Sequence, residues 1–133
     1  ATVCLAGMIN ALKIVGKIDR IDERKDGVWE IIDYKTGKEI DRRQADKSLQ
    51  MTIYALAATD KGIFNKKPQD LILTFYFLES GKKISTKRTP EQLAQAKKEI
   101  LKKNQEMANS SFEPKPGSLC DFCEYKLLCE AWT

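Results

Sequence analysis

The sequence predicts one α/β domain built on a mixed sheet, and three observations carry that reading. Residues 12–22 and 28–34 alternate apolar and polar side chains, as half-buried strands do. A helical segment without glycine or proline, residues 41–59, is followed by an unbroken apolar run of strand length, "LILTFYFL", residues 71–78. "TPEQ", Thr89 to Gln92, then opens a second long helix. The element order ββαββα, ending in a cysteine-rich tail, fits a single α/β layer structure. At 133 residues and 42% hydrophobic content, the chain is sized for one compact domain, with residues 1–109 as its core and 110–133 as the tail.

Each element has its own justification. "LKIVGKIDRID" and "VWEIIDY" are rich in β-branched residues, and "ERKDG" between them supplies turn chemistry, so the pair is expected to form a hairpin. The second half of the first helix, "LQMTIYALAA", is apolar nearly all round and is expected to be buried against the sheet. Residues 71–78 read as a central strand covered on both faces, and "KKISTKR" as its antiparallel neighbour across the turn "ESGK". In the helix that starts at Thr89, Leu93, Ala96, Ile100, Leu101 and Met107 share a face, and Lys97, Lys98, Lys102 and Lys103 occupy the rest as a solvated surface. "SSFEPKPGSL", residues 110–119, breaks regular structure with two prolines and a glycine.

Composition excludes several chemistries. The net charge of +4, from 23 bases against 19 acids, helps a polyanion approach without identifying a nucleic-acid binder. The absence of histidine removes the commonest general base, the Ser-His and Cys-His pairs and every His-containing metal site. No segment approaches the roughly 18 consecutive apolar residues of a membrane span, and no secretory pattern opens the chain, so the expected location is cytoplasmic, with no membrane partner. Three of four cysteines cluster in "CDFCEYKLLC", which in a cytosolic chain points to metal more than to disulfides.

The charges inside the hairpin are the informative feature. Trp29, Ile31, Asp33 and Lys35 share one face of their strand. A two-residue Asp26-Gly27 turn would place Asp19 and Asp33 on opposite faces. A three-residue loop, Lys25-Asp26-Gly27 with Gly27 left-handed, would pair Arg24 with Val28 and set Asp19 across from Asp33. Carboxylates that close repel unless a cation lies between them, and oxygen ligands favour a hard ion such as Mg²⁺ or Mn²⁺. Lys35 would then face a phosphoryl group under attack, which describes phosphodiester hydrolysis without histidine. The bland alternative is a set of surface salt bridges, Asp19 with Arg20 or Lys17 and Asp33 with Lys35.

"GKIDRID", "IIDYKTGK" and "QMTIY", in that order, resemble the signature of the PD-(D/E)xK nuclease superfamily in its RecB-like branch, which includes nuclease domains of recombination helicase-nucleases and CRISPR adaptation exonucleases. The resemblance runs from about residue 12 to residue 129. It implies a restriction-endonuclease-like core, a central mixed β-sheet flanked by helices, and catalysis by Asp19, Asp33 and Lys35. The two acids and the backbone carbonyl of Tyr34 would hold Mg²⁺ or Mn²⁺, and Gln50 and Tyr54, four apart on one helix face, would position substrate or the lysine. Without the resemblance, Tyr54 reads as a core aromatic and Gln50 as a helix-surface residue.

"FEPKPGSLCDFCEYKLLC" is similar to the end of such domains, which implies Cys120, Cys123 and Cys129 as three ligands of a [4Fe-4S] cluster, with Zn²⁺ as the alternative. Cys4, in "TVCLAG" 15 residues before Asp19, is a doubtful fourth ligand and belongs to the first strand. Members of this branch carry an upstream helix with a metal-binding His or Glu. Its absence here makes the chain resemble a C-terminal fragment of a larger protein. The expected function is a DNA exonuclease domain acting on single strands or ends in recombination or repair, alongside a helicase domain or subunit. The rival is a nuclease-like module that binds DNA or a helicase without turnover.

Overall fold

A computed structural model of the chain describes residues 3–132, the side chains of residues 5 and 8 excepted. The chain divides into two compact units, Ala1–Leu101 and Lys102–Thr133. The first unit carries β1 (Val3–Ile9), β2 (Leu12–Ile18), β3 (Arg20–Glu23), β4 (Trp29–Lys35), α1 (Arg42–Lys47), α2 (Leu49–Thr59), β5 (Leu71–Phe77) and β6 (Lys83–Thr86); α3 (Pro90–Ala108) begins in it and crosses the boundary. Among the described residues no helix is long and apolar enough to cross a membrane.

β3-β4-β5-β6 form a mixed sheet in that order: β4 and β5 run parallel, and both outer pairs are antiparallel. The expected mixed α/β fold is therefore present, but its strand count is higher than ββαββα. Residues 12–22 are not one strand. They break at Asp19, and residues 12–18 pair with β1 as an antiparallel ribbon, Val3 opposite Ile18, instead of with residues 28–34. Leu12, Ile14 and Ile18 are turned inward while Lys13, Val15 and Lys17 face out, so the alternation is a true strand signal that conceals a change of partner.

The loop between β3 and β4 is the three-residue alternative. Arg20 pairs with Ile32 and Glu23 with Trp29, the Arg24 N–H donates to the Val28 carbonyl at 2.8 Å, and Gly27 has φ +81°. Only the left-handed region closes this loop, and glycine enters it without a Cβ penalty.

The segment expected to be one helix over residues 41–59 is two. Asp41 caps α1, its side chain accepting from Gln44 N–H while the Gln44 side chain accepts from Asp41 N–H. Ser48, with ψ 118°, ends α1 and caps α2 by accepting from Met51 N–H. A serine prefers a cap to a helix interior, so the break needs neither glycine nor proline.

α2 lies over the face of the sheet that Ile31, Leu73, Phe75 and Phe77 line. Met51, Ala55, Leu56 and Ala58 share their core, as does Leu93 of α3. Each large side chain removed from water there stabilises the fold by about 1.5–3 kcal/mol. α3 opens with the expected capping box, Thr89 Oγ1 accepting from Gln92 N–H and Gln92 Oε1 from Thr89 N–H. Leu93 and Ala96 are buried, but Met107 is exposed, so the apolar stripe of α3 does not stay buried to its end. Its lysines are solvated as expected, Lys102 and Lys103 pairing with Glu106.

Beyond the end of α3, the second unit carries short turns of 3₁₀ helix at Ser118–Phe122 and Lys126–Leu128, with no buried side chain in either.

Candidate active site

β4 delivers Asp33 and Lys35 to the face beneath α2, and the sheet order explains how a carboxylate is buried there. Parallel pairing sets Asp33 beside Phe75 on β5, which leaves the residue buried at the sheet's centre. Burial of a charge is costly unless it is paired and hydrogen-bonded. Lys35 Nζ stands 2.7 Å from Asp33 Oδ2 and 5.7 Å from the centroid of the Phe75 ring. Gln50 Nε2 donates to Asp33 Oδ1 at 2.9 Å, and the same Gln50 takes Lys35 Nζ on Oε1 at 2.9 Å. One amide thus bridges both members of the ion pair, its oxygen on the cation and its nitrogen on the anion.

Tyr54, one turn further along α2, completes the cluster. Its hydroxyl accepts from Gln50 Nε2 at 2.9 Å, lies 3.4 Å from Asp33 Oδ1, and donates to the backbone carbonyl of Lys17 at 2.9 Å. Burial pushes the Tyr54 phenol above its ordinary value; the Gln50 bond opposes it, and the charges of Asp33 and Asp19 add to the rise. The hydroxyl therefore stays protonated and keeps donating to Lys17.

Asp19 enters from the break between β2 and β3. Continued register from Arg20–Ile32 sets it opposite Asp33, where the ladder ends. The backbone groups of alternate β4 residues point to alternate neighbours, and Lys35 turns its carbonyl to Leu78 N–H, on the β5 side. Those of Tyr34 face the broken edge. Asp19 Oδ2 accepts the Tyr34 N–H at 3.0 Å, so a side chain replaces the missing strand partner, and the Tyr34 carbonyl points to the same side. The Tyr34 ring lies on the opposite face, 5.7 Å from the Tyr76 ring.

A hard divalent cation fits this donor set. Asp33 Oδ2 is buried and has no hydrogen-bond partner, the nearby Lys35 ammonium being off hydrogen-bond geometry. Two carboxylates and a backbone carbonyl are oxygen donors suited to Mg²⁺ or Mn²⁺. The protein supplies few of them: among the described residues no three acidic or thiol side chains gather into a metal-holding group.

That holds for the cysteines as well. Cys120, Cys123 and Cys129 lie in or beside the 3₁₀ turns without converging on one centre, and Cys4 sits exposed on β1 in the other unit. The Gly117 N–H donates to Cys120 Sγ at 3.3 Å.

Asp19, Asp33, Lys35, Gln50 and Tyr54 are thus brought to one place by β4, α2 and the break at Asp19. The carbonyl of Lys17 belongs to the same network and has no signal in a sequence, because it is a backbone group chosen by the change of strand partner.

The family model of the PD-(D/E)XK nuclease superfamily matches residues 2–130. The crystal structure of SSO0001 is similar to the chain with a TM-score of 0.48 at 19% identity, over 99% of this chain and 59% of that one. The chain therefore spans less than two thirds of that protein's length. No curated protein matches it. With its D-x-K strand, Asp33-Tyr34-Lys35, inside a family match that spans residues 2–130, the chain belongs to the PD-(D/E)XK nuclease superfamily.

Proposed function

We propose that the chain is a Mg²⁺- or Mn²⁺-dependent DNA nuclease domain of the RecB-like branch, an exonuclease that hydrolyses phosphodiester bonds at ends or in single strands. The buried Asp33 oxygen without a hydrogen bond, set between Lys35 and the Gln50–Tyr54 pair, carries this reading. Asp33, Asp19 and the Tyr34 carbonyl hold the cation. Bound there, it would make a ligated water more acidic than bulk water and act as a Lewis acid toward a phosphoryl oxygen. The Lys35 ammonium neutralises charge that builds on the phosphoryl group, and Gln50 Oε1 keeps it in reach.

Recombination or repair, with a helicase domain or subunit as partner, is the cellular setting that the RecB-like motifs support. The C-x2-C-x5-C spacing supports Cys120, Cys123 and Cys129 as ligands of an iron–sulfur cluster, a role separate from hydrolysis.

The test is digestion of end-labelled linear single- and double-stranded DNA in Mn²⁺, Mg²⁺ or chelator, beside the Asp33→Asn variant. Metal-dependent cleavage that disappears in the variant is expected. Salt-sensitive DNA binding with no metal-dependent cleavage would refute the enzyme and leave a binding module.

A further inference from the structure

The geometry points to Arg88 as a positioning residue for the Asp33–Lys35–Gln50 cluster, acting through the first turn of α2. The inference rests on the reading of that cluster as the active site.

Arg88 follows β6 and is only 5% exposed. Its guanidinium makes five hydrogen bonds, all to uncharged oxygens. Nε donates to Thr52 Oγ1 at 2.8 Å; Nη1 donates to Thr86 Oγ1 at 2.8 Å and to the Lys87 carbonyl at 2.9 Å; Nη2 donates to the carbonyls of Ala45 at 3.0 Å and Ser48 at 3.2 Å. It forms no direct ion pair among the described residues: Asp46 reaches it only through Thr86 Oγ1, which donates to Asp46 Oδ1 at 2.5 Å. A buried cation spent on backbone carbonyls is costly to keep for stability alone, since apolar packing does that as well.

Two of those carbonyls, Ala45 and Ser48, flank the break between α1 and α2. Each already accepts a backbone N–H, from Ser48 at 3.2 Å and from Thr52 at 3.1 Å, and the guanidinium adds a second donor to both where the two helices part. The planar fork of a guanidinium can serve several such acceptors at once, which a lysine cannot. Ser48 and Thr52, two of the partners, stand two positions either side of Gln50. Thr52 Oγ1 itself donates to the Ser48 carbonyl at 2.9 Å, so Arg88 clamps a closed first turn. Gln50 projects from that turn, and its amide must meet Asp33, Lys35 and Tyr54 simultaneously. A small rotation of the turn breaks all three contacts, whereas Tyr54, a full turn deeper, remains anchored by the core.

The test uses the whole chain, labelled with ¹⁵N, with Arg88→Lys, Thr52→Val, Gln50→Ala and the Arg88→Lys/Gln50→Ala pair. The Gln50 side-chain amide, assigned by its disappearance in Gln50→Ala, is read for chemical shift and hydrogen exchange without DNA or metal. Both Arg88→Lys and Thr52→Val are expected to speed its exchange and move its shift toward that of an exposed glutamine. In Mn²⁺-dependent cleavage, Arg88→Lys should lower kcat roughly 10- to 100-fold with KM little changed, and should add no further loss in the Gln50→Ala background.

An unchanged Gln50 amide in both variants, or losses that multiply in the double variant, would overturn the proposal. If the wild-type chain does not cleave DNA, the nuclease reading fails, while the amide exchange still decides the positioning. If Arg88→Lys does not fold, Thr52→Val, which removes one hydroxyl at constant volume, carries the same readings.

Discussion

Replacing Lys35 by methionine keeps an unbranched side chain of similar reach and removes the cation from Asp33. The carboxylate side chain is 4% exposed and that of the lysine 37%, so the pair lies between two measured regimes. Breaking a fully buried pair costs about 3–5 kcal/mol, and an exposed one about 0–1 kcal/mol. Discounted for the half-open lysine, Lys35→Met should lose about 1–2 kcal/mol. For a chain of this size the corresponding fall in Tm is roughly 4–7 °C.

Divalent metal then separates the site from an ordinary salt bridge. An ion at 100 times its Kd stabilises the folded state by about 2.7 kcal/mol. In the wild-type chain that ion competes with the ammonium for Asp33 Oδ2; in Lys35→Met it does not. A Mg²⁺ titration followed by thermal unfolding should therefore raise the Tm of the variant more than that of the wild type and narrow the gap, although the variant no longer cleaves DNA. A gap that stays constant across the titration, or a variant as stable as the wild type without metal, would show that Asp33 is not a shared cation site.

Three further outcomes follow from the same contacts. The Tyr54 phenol is raised above its ordinary value near 10, so the unfolded chain ionises first; stability held below about pH 10 is lost as pH rises toward the folded value, and Tyr54→Phe should lack this part of the alkaline fall in urea-unfolding profiles. Gly27→Ala meets no atom within 4 Å but must sit at φ +81°, so its cost of about 1 kcal/mol is conformational, and Gly27→Asn should cost less; equal stability of all three chains would remove the left-handed requirement. Anaerobically purified chain is expected to contain iron and visible absorbance that Cys123→Ser removes; zinc would support the alternative cluster metal, and metal-free chain would dismiss both.

Which features could be read in advance depends on how local their causes are. The Thr89–Gln92 box, the left-handed Gly27 and the apolar run of β5 are decided within a few residues, and the structure has all three. The face shared by Asp33 and Lys35 follows from strand alternation, and that of Gln50 and Tyr54 from helical spacing. The two breaks have only faint local signals. In "KIDRID" Ile18 and Ile21 stand three apart, so the alternation slips at Asp19-Arg20, and "ADKSLQM" offers a serine cap but neither glycine nor proline. At each break a side chain bonds the backbone: Asp19 accepts the Tyr34 N–H, and Arg88 gives the Ala45 and Ser48 carbonyls a second donor beside the Ser48 and Thr52 N–H groups. In "STKRTPE" that arginine reads as one more surface base.

The breaks also explain why this sheet accepts charge. An uninterrupted β2–β3 strand would satisfy Tyr34 with a backbone partner and leave Asp19 no task at the ladder's end. An uninterrupted α1–α2 helix would leave Gln50 in a helix interior, with no capped first turn to set its direction. The ion pair at Asp33 and Lys35 is thus sustained by two interruptions of regular structure, and it is at those interruptions, more than at the acids themselves, that conservative substitutions should separate folding from function.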